Sequence, residues 1–249
     1  MIEVRNLKKR LGANQVLDGV TLRIERGESL TIIGRSGCGK SVLLKHIIGL
    51  LQPDAGQVLI AGEDIARMNE RQLLRVRSRF GMVFQGAALF DSMTVAENVA
   101  FPLRRQKKLT EGEISNKVAA ALEVVELPGV ETKKPSELSG GMRKRVGLAR
   151  AIVYEPEIVL YDEPTTGLDP VVSDSIDQLI IRVRDQLQVT SVVVTHDMRS
   201  ARRVGNRVVM LHDKKIYAGG KPEEFFGSKD PVVHRFINGI SDPKAPTLT

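Results

Sequence analysis

Gly34-Arg-Ser-Gly-Cys-Gly-Lys-Ser41 stands between the apolar run Ser29-Leu-Thr-Ile-Ile33 and Val42-Leu-Leu-Lys-His-Ile-Ile48, whose apolar residues recur at helical spacing. A short strand, a glycine-rich loop and a helix in that order open a parallel α/β unit. The loop has the form G-x-x-x-x-G-K-[ST] in the context that this pattern requires. Its glycines let the chain curl until backbone N–H groups point at phosphate oxygens, and the helix N-terminus adds a partial positive charge. The spacing places Lys40 to bridge the β- and γ-phosphates and the Ser41 hydroxyl to ligate Mg²⁺. The stretch implies a nucleoside triphosphate held by Gly34, Arg35, Ser36, Gly37, Cys38, Gly39, Lys40, Ser41 and Val42. Cys38 fills a small-residue position with no required side-chain role, and a thiol there is expected to make nucleotide binding sensitive to thiol reagents.

Downstream, Ile158-Val-Leu-Tyr-Asp-Glu-Pro164 is an apolar strand that ends in two carboxylates. Asp162 stands where an open α/β sheet places its ligands and can hold Mg²⁺ through water. Glu163 points elsewhere, which suits it to orient an attacking water or accept its proton. Two carboxylates beside a phosphate loop favour hydrolysis over mere binding. Thr190-Ser-Val-Val-Val-Thr195 is another β-branched strand, followed by His196, for which a γ-phosphate contact and a structural role both stay open. Leu138-Ser-Gly-Gly-Met142 leads into a helical run over residues 143–152. Ser139 is a good N-cap and the glycines leave N–H groups accessible, so this is a second anion-binding helix terminus. One phosphate loop has no evident use for a second grip on its own nucleotide; the economical explanation is that the terminus grips the nucleotide of another copy.

Around these motifs the organisation is α/β, with a parallel-sheet core, an N-terminal antiparallel β subdomain and an inserted α-helical subdomain. Ile2 and Val4, then Leu22 and Ile24, alternate with polar residues as half-buried antiparallel strands do. Residues 89–154 carry helix-length segments at 95–101, 110–127 and 141–153, and Thr110 with Glu113 has capping-box spacing. Residues 1–88 and 155–229 form the core with the β subdomain. Val208 to Leu211 and Lys215 to Ala218 flank His212-Asp-Lys as an edge hairpin. In residues 230–249, Val232, Val233, Phe236, Ile237 and Ile240 mark one face of a short helix ending near Gly239, followed by a tail expected to be mobile.

The chain has 249 residues, 37 Lys+Arg against 30 Asp+Glu, one Cys, no Trp and 42% hydrophobic residues. That excludes fibrous, collagen-like and fully disordered classes. A single Cys and no apolar stretch behind the first basic residues predict a cytoplasmic protein without secretory signal or disulfide framework. No apolar run approaches the about 20 residues needed to cross a bilayer. The formal charge of +7 is spread over patches at 71–79, 104–108, 143–150 and 199–207, and in the first of them Leu73, Leu74 and Val76 interleave with Arg71, Arg75, Arg77 and Arg79. That pattern predicts a helix with one solvated basic face.

The ordered set Gly34 to Ser41, Gln85, Leu138 to Met142, Ile158 to Glu163, Gly167-Leu-Asp-Pro170 and His196 resembles the complete motif set of an ABC-type ATPase cassette, over nearly the whole chain. The resemblance implies a P-loop, RecA-like core and a head-to-tail homodimer with two ATP molecules between the P-loop of one copy and the Ser139, Gly140 and Gly141 helix of the other. It implies nucleotide and Mg²⁺ roles for Lys40, Ser41, Gln85 and Asp162, with Ser41, Gln85 and Asp162 on the metal. Glu163 becomes the catalytic base, His196 the γ-phosphate switch, Gln85 a further catalytic residue and Asp169 a link between the two sites at the dimer interface. Leu11 stands where such cassettes commonly carry an adenine-stacking aromatic residue, which weakens base stacking.

Met142 replaces the usual Gln. With Phe84-Gln-Gly-Ala-Ala-Leu-Phe-Asp-Ser-Met-Thr-Val95 and Glu97-Asn-Val-Ala-Phe-Pro-Leu103 it is similar to the ATPases of bacterial lipid transporters that work with MCE-domain proteins, the maintenance-of-lipid-asymmetry type. That implies an integral membrane permease as a separate chain, MCE-domain and small accessory subunits, and a peripheral place on the cytoplasmic face of the inner membrane. An uptake importer for amino acids or other small polar solutes shares every catalytic motif and is the alternative. A DNA- or ribosome-associated ATPase of this family usually carries two cassettes or long coiled-coil insertions, so no nucleic-acid partner is expected; a small-molecule kinase leaves the Ser139 helix unexplained. The residual arginine patches fit a protein held near an anionic leaflet.

Overall fold

Ser29–Ile33 is buried at all five positions, as a strand covered on both faces must be. A computed structural model describes residues 1–106 and 108–241. In chain order the described elements are β1 (Ile2–Leu11), β2 (Asn14–Ile24), β3 (Ser29–Ile33), α1 (Lys40–Ile47), β4 (Ala55–Ile60), β5 (Glu63–Asp64), α2 (Glu70–Arg77), β6 (Phe80–Val83), α3 (Val95–Gln106), α4 (Glu111–Val124), α5 (Gly140–Ile152), β7 (Ile158–Asp162), α6 (Pro170–Leu187), β8 (Thr190–Thr195), α7 (Met198–Val204), β9 (Arg207–His212), β10 (Lys215–Gly220), α8 (Pro222–Phe226) and α9 (Pro231–Ile237). The main sheet runs β10-β9-β3-β8-β7-β6, and a four-stranded sheet runs β2-β1-β4-β5. All main-sheet pairs are parallel except the β9–β10 hairpin.

Strand alternation divides the core into layers. Ile158 and Leu160 of β7 join Val192 and Val194 of β8 in a cluster with α1 and the antiparallel sheet. Val159, Tyr161 and Val193 point the other way, into a cluster shared with α3, α4, α5 and α6. The expected N-terminal pairing is present, with Ile2 opposite Ile24 and Val4 opposite Leu22. Three strands of the sheets are not legible from periodicity: β4, which pairs Ile2 with Ile60, the two-residue β5 paired with it, and β6, a four-residue edge strand. Gly81 in β6 permits a close approach, since a Cβ there would meet the Ala151 carbonyl oxygen of α5 at 2.3 Å.

Differences from the sequence reading have local causes. α3 continues past Phe101 through Pro102 to Gln106, and Asn98, fully buried, stitches it to the preceding loop by donating to the Phe90, Met93 and Thr94 carbonyls. α4 starts at the expected capping box, with Thr110 N–H donating to Glu113 Oε2 at 2.8 Å, but ends at Val124, ahead of Glu126 in left-handed backbone at φ 58°. In α2, Leu73 and Val76 are buried while Leu74 is 54% exposed. Arg77 donates to the Gly49 carbonyl and pairs with Glu70, and Arg79 pairs with Glu157, so the solvated basic face shrinks to Arg71 and Arg75. The β9–β10 turn places Asp213 and Lys214 at φ 46° and 67°, the backbone of a two-residue hairpin loop. α9 is capped by Asp230 and ends at Ile237; Ile240 falls beyond it, 50% exposed, and is not part of a buried face. The expected tail over 242–249 lies outside the described residues.

Candidate functional site

The sheet delivers its chemistry at the carboxyl ends of β3, β7 and β8. After β3 the chain must turn sharply into α1, and Gly39 caps that helix at φ 107°, a conformation that L side chains rarely adopt. A Cβ on Gly39 would also press on Val16 and Leu17 of β2, both at 3.0 Å. A Cβ on Gly34 would stand 2.6 Å from the Leu211 carbonyl oxygen. Lys40 is 6% exposed, and its ammonium donates to the Gly34 and Arg35 carbonyls at 2.8 and 3.1 Å. The buried cation therefore sits inside the curl of its own loop.

β7 ends at Asp162, whose Oδ1 accepts from Ser41 Oγ at 2.7 Å. Glu163, the next residue, is in left-handed backbone at φ 51°, costly for a non-glycine residue; its N–H donates to the Val194 carbonyl at 2.9 Å. The kink sends its side chain across to the phosphate loop and to the end of β8. Oε1 lies 3.5 Å from Lys40 Nζ, and Oε2 lies 2.7 Å from His196 Nδ1 and accepts from the His196 N–H at 3.3 Å. One buried carboxylate thus faces a fixed cation on one oxygen and a half-exposed imidazole on the other. The structure brings together Lys40, Ser41, Asp162, Glu163 and His196.

Other expected site residues stand apart. Gln85 is exposed, and the described hydrogen bonds engage its carbonyl, which accepts from Lys144 Nζ; no described contact carries its side chain to Ser41 or Asp162. Ser139 caps α5, its Oγ accepting from the Met142 N–H at 3.2 Å. The glycines behind it serve packing within this chain: a Cβ on Gly141 would meet Val172 Cγ1 at 2.7 Å, and one on Gly140 would meet Leu168 at 3.2 Å. No described contact joins Ser139, Gly140 or Gly141 to the phosphate loop. Asp169 caps α6, accepting from the Val171 and Val172 N–H groups at 3.0 Å. Leu11 is 44% exposed at the tip of the hairpin whose second strand packs on Gly39. Burial pushes the Cys38 thiol pKa up, which keeps it protonated at neutral pH and works against the expected thiol sensitivity.

Two buried charges escaped the sequence reading. Lys144 of α5 is 7% exposed, and burial lowers its pKa against the pull of Glu163; nothing in its helical spacing distinguishes it from the arginines around it. Asp177 of α6 is 4% exposed and lines a cavity of about 520 Å³ with Asp174, Asp197 and Arg203. Its Oδ2 accepts from Ser200 Oγ at 2.7 Å, while Oδ1 has no partner among the described residues.

Burial, reinforced by Asp197 and Asp174 against Ser200 and Arg203, raises the Asp177 pKa from 3.8 to about 6. A raised carboxyl pKa means that the folded state prefers the proton, so ionisation above pH 6 works against folding, and the penalty disappears as pH falls below the unfolded value. Relative to Asp177→Asn, wild type should gain on the order of 2–3 kcal/mol between pH 8 and pH 4. Urea unfolding of both proteins across that range measures the difference; a flat difference would show that Asp177 does not titrate in a buried site.

A family model described as ABC transporter matches residues 17–166. A Mycobacterium leprae protein named probable ribonucleotide transport ATP-binding protein mkl is 46% identical over 238 residues, covering 96% of this chain and 69% of that protein. The intermembrane phospholipid transport system ATP-binding protein MlaF of Haemophilus influenzae is 41% identical over 242 residues, covering 97% of this chain and 92% of that protein. Among solved structures, a dimeric ATP-binding cassette in a post-hydrolysis state, bound to ADP and Pi, has a TM-score of 0.82 and 33% identity, covering 90% of this chain and 100% of that one.

Proposed function

This chain belongs to the ABC transporter family, and on that premise we propose that it is the ATP-hydrolysing motor that drives phospholipid between membranes through a separate permease. It is an ATPase, and the observation that carries the chemistry is Glu163 held between Lys40 at 3.5 Å and His196 at 2.7 Å, beside the Ser41–Asp162 pair. Lys40 exchanges its two loop carbonyls for β- and γ-phosphate oxygens, a charge-assisted contact stronger than the one that it gives up. Glu163 then takes the proton of the attacking water, and His196 fixes the carboxylate and reaches the γ-phosphate. Ser41 Oγ and Asp162 Oδ1, 2.7 Å apart, are hard oxygen donors of the kind that Mg²⁺ takes and would hold it, while a Gln85 ligand would need its exposed side chain to swing toward them. Mg²⁺, when bound, neutralises charge on the β- and γ-oxygens.

The cap at Ser139, which has no described contact with this chain's own phosphate loop, supports a second anion site for the nucleotide of another copy, and hence a head-to-tail homodimer with Asp169 near its centre. No described helix is long and apolar enough to cross a membrane, which supports a permease on another chain and a peripheral position on the inner membrane. The lipid reading rests on the phospholipid-transport relative, 41% identical over 97% of this chain, and on the resemblance carried by Met142 and the Gln85 region. An MCE-domain partner completes the assignment. Purification from native membranes in mild detergent tests it: MCE-domain subunits and bound phospholipid are expected, and recovery with a solute-binding protein instead would overturn the lipid reading.

A further inference from the structure

The Gln85 loop is gripped along one face of α5. Lys144 Nζ donates to the Gln85 carbonyl and, at 3.4 Å, to the Glu163 carbonyl. Six residues on, Arg150 donates to the Ala87 and Ala88 carbonyls at 2.7 Å each and lies 5.9 Å from the Phe90 ring centroid. Between them Gly147 lets Ala87 approach, where a Cβ would stand 3.2 Å from the Ala87 Cβ. Ala87 and Ala88 are both left-handed, at φ 61° and 49°, an arrangement that persists only where surrounding contacts over-determine it.

Lys144 has no carboxylate within ion-pair distance among the described residues; the two carbonyl dipoles are its described partners. Those carbonyls belong to Gln85, in the loop after β6, and to Glu163, the residue that follows β7. The Glu163 backbone is suspended between two bodies, its N–H on β8 through Val194 and its C=O on α5 through Lys144. A buried ammonium is an expensive choice for a brace that an apolar side chain could supply, unless its geometry matters.

We propose that Lys144 is a positioning residue for hydrolysis, fixing the Glu163 and Gln85 backbones to the helix that begins at Ser139. A shift of α5 then carries the base with it, because Lys144 lies about one turn from Gly140. The proposal rests on the reading of Glu163 as base. A displacement of the base by about 1 Å is enough for a large rate effect, since attack requires a narrow geometry, whereas Lys144 reaches Gln85 and Glu163 only at their backbone carbonyls and has no described contact with the Gly34 to Ser41 loop.

The test uses the full chain in its transporter complex, comparing Lys144→Met, which keeps length and apolar contacts, with Lys144→Arg, which keeps a donor. Rates are expressed per nucleotide-binding site, counted by bound ATP, so that misfolded protein drops out. The Met variant should lose about 10- to 100-fold in kcat with KM for ATP changed less than about threefold, and Arg should recover much of the loss. An unchanged kcat per site in the Met variant, or a loss accounted for by fewer binding sites, overturns the proposal. Glu163→Gln run alongside separates the two readings: if it turns over normally the base assignment fails, and if it is inactive while Lys144→Met is normal, only the positioning role fails.

Discussion

Glu163→Gln should leave ATP binding intact and lower steady-state hydrolysis about 10²- to 10⁴-fold. The substitution keeps the size of the side chain and an oxygen able to face His196 Nδ1, which stands 2.7 Å from Oε2, but it removes the group able to take a proton. It also removes the negative charge 3.5 Å from Lys40 Nζ. That carboxylate competes with phosphate for a buried cation, so ATP affinity should stay the same or rise. Phosphate release and retained nucleotide, measured on the same preparation, check both halves. Turnover above about a tenth of wild type would remove Glu163 from the role of base.

Lys40→Ala should fail at the earlier step, raising the Kd for ATP by about 10²- to 10³-fold, as the loss of one or two charge-assisted hydrogen bonds to phosphate predicts. The Lys40 ammonium, 6% exposed, is held at the Gly34 and Arg35 carbonyls inside its own loop, an ordered cation of the kind that binds phosphate at low entropic cost. Its removal also leaves Glu163, 9% exposed, without its cation, an uncompensated buried charge. Arginine should not rescue, because its planar fork does not fit a cradle shaped around a point charge. Equilibrium titration with a fluorescent ATP analogue reads the change, and near-normal affinity would show that the loop backbone alone binds the phosphates.

The two variants are expected to fail differently because the roles proposed for the residues fall at successive stages. Their pairing at 3.5 Å is invisible in the sequence, where each is recognised from its own neighbours. Local signals of this kind were strong throughout the nucleotide site. The loop from Gly34 to Ser41, the strand end at Asp162 and Glu163, the cap at Ser139 and the capping box at Thr110 all rest on spacing within a few residues. β6 was missed because four residues with a central glycine carry no period, and its identity as a strand comes from β7 pairing with it. The basic face of α2 was overestimated for the same reason: Arg77 and Arg79 find Glu70, the Gly49 carbonyl and Glu157 only after folding.

By itself the sequence determined the α/β class, the phosphate loop, the carboxylates and the helical insertion, because short-range spacing and apolar periodicity are set by the backbone geometry of single elements. The tertiary structure decided what those parts do to one another. It bent Glu163 into left-handed backbone between Lys40 and His196, buried Gly141 against Val172, buried Asp177 with one oxygen unpartnered among the described residues, and set Lys144 on the carbonyls of Gln85 and Glu163. Such contacts join residues far apart in the chain, 121 apart for Ser41 with Asp162 and 59 for Lys144 with Gln85. No periodicity records them, since burial and partner choice exist only once the sheet has brought its carboxyl ends together.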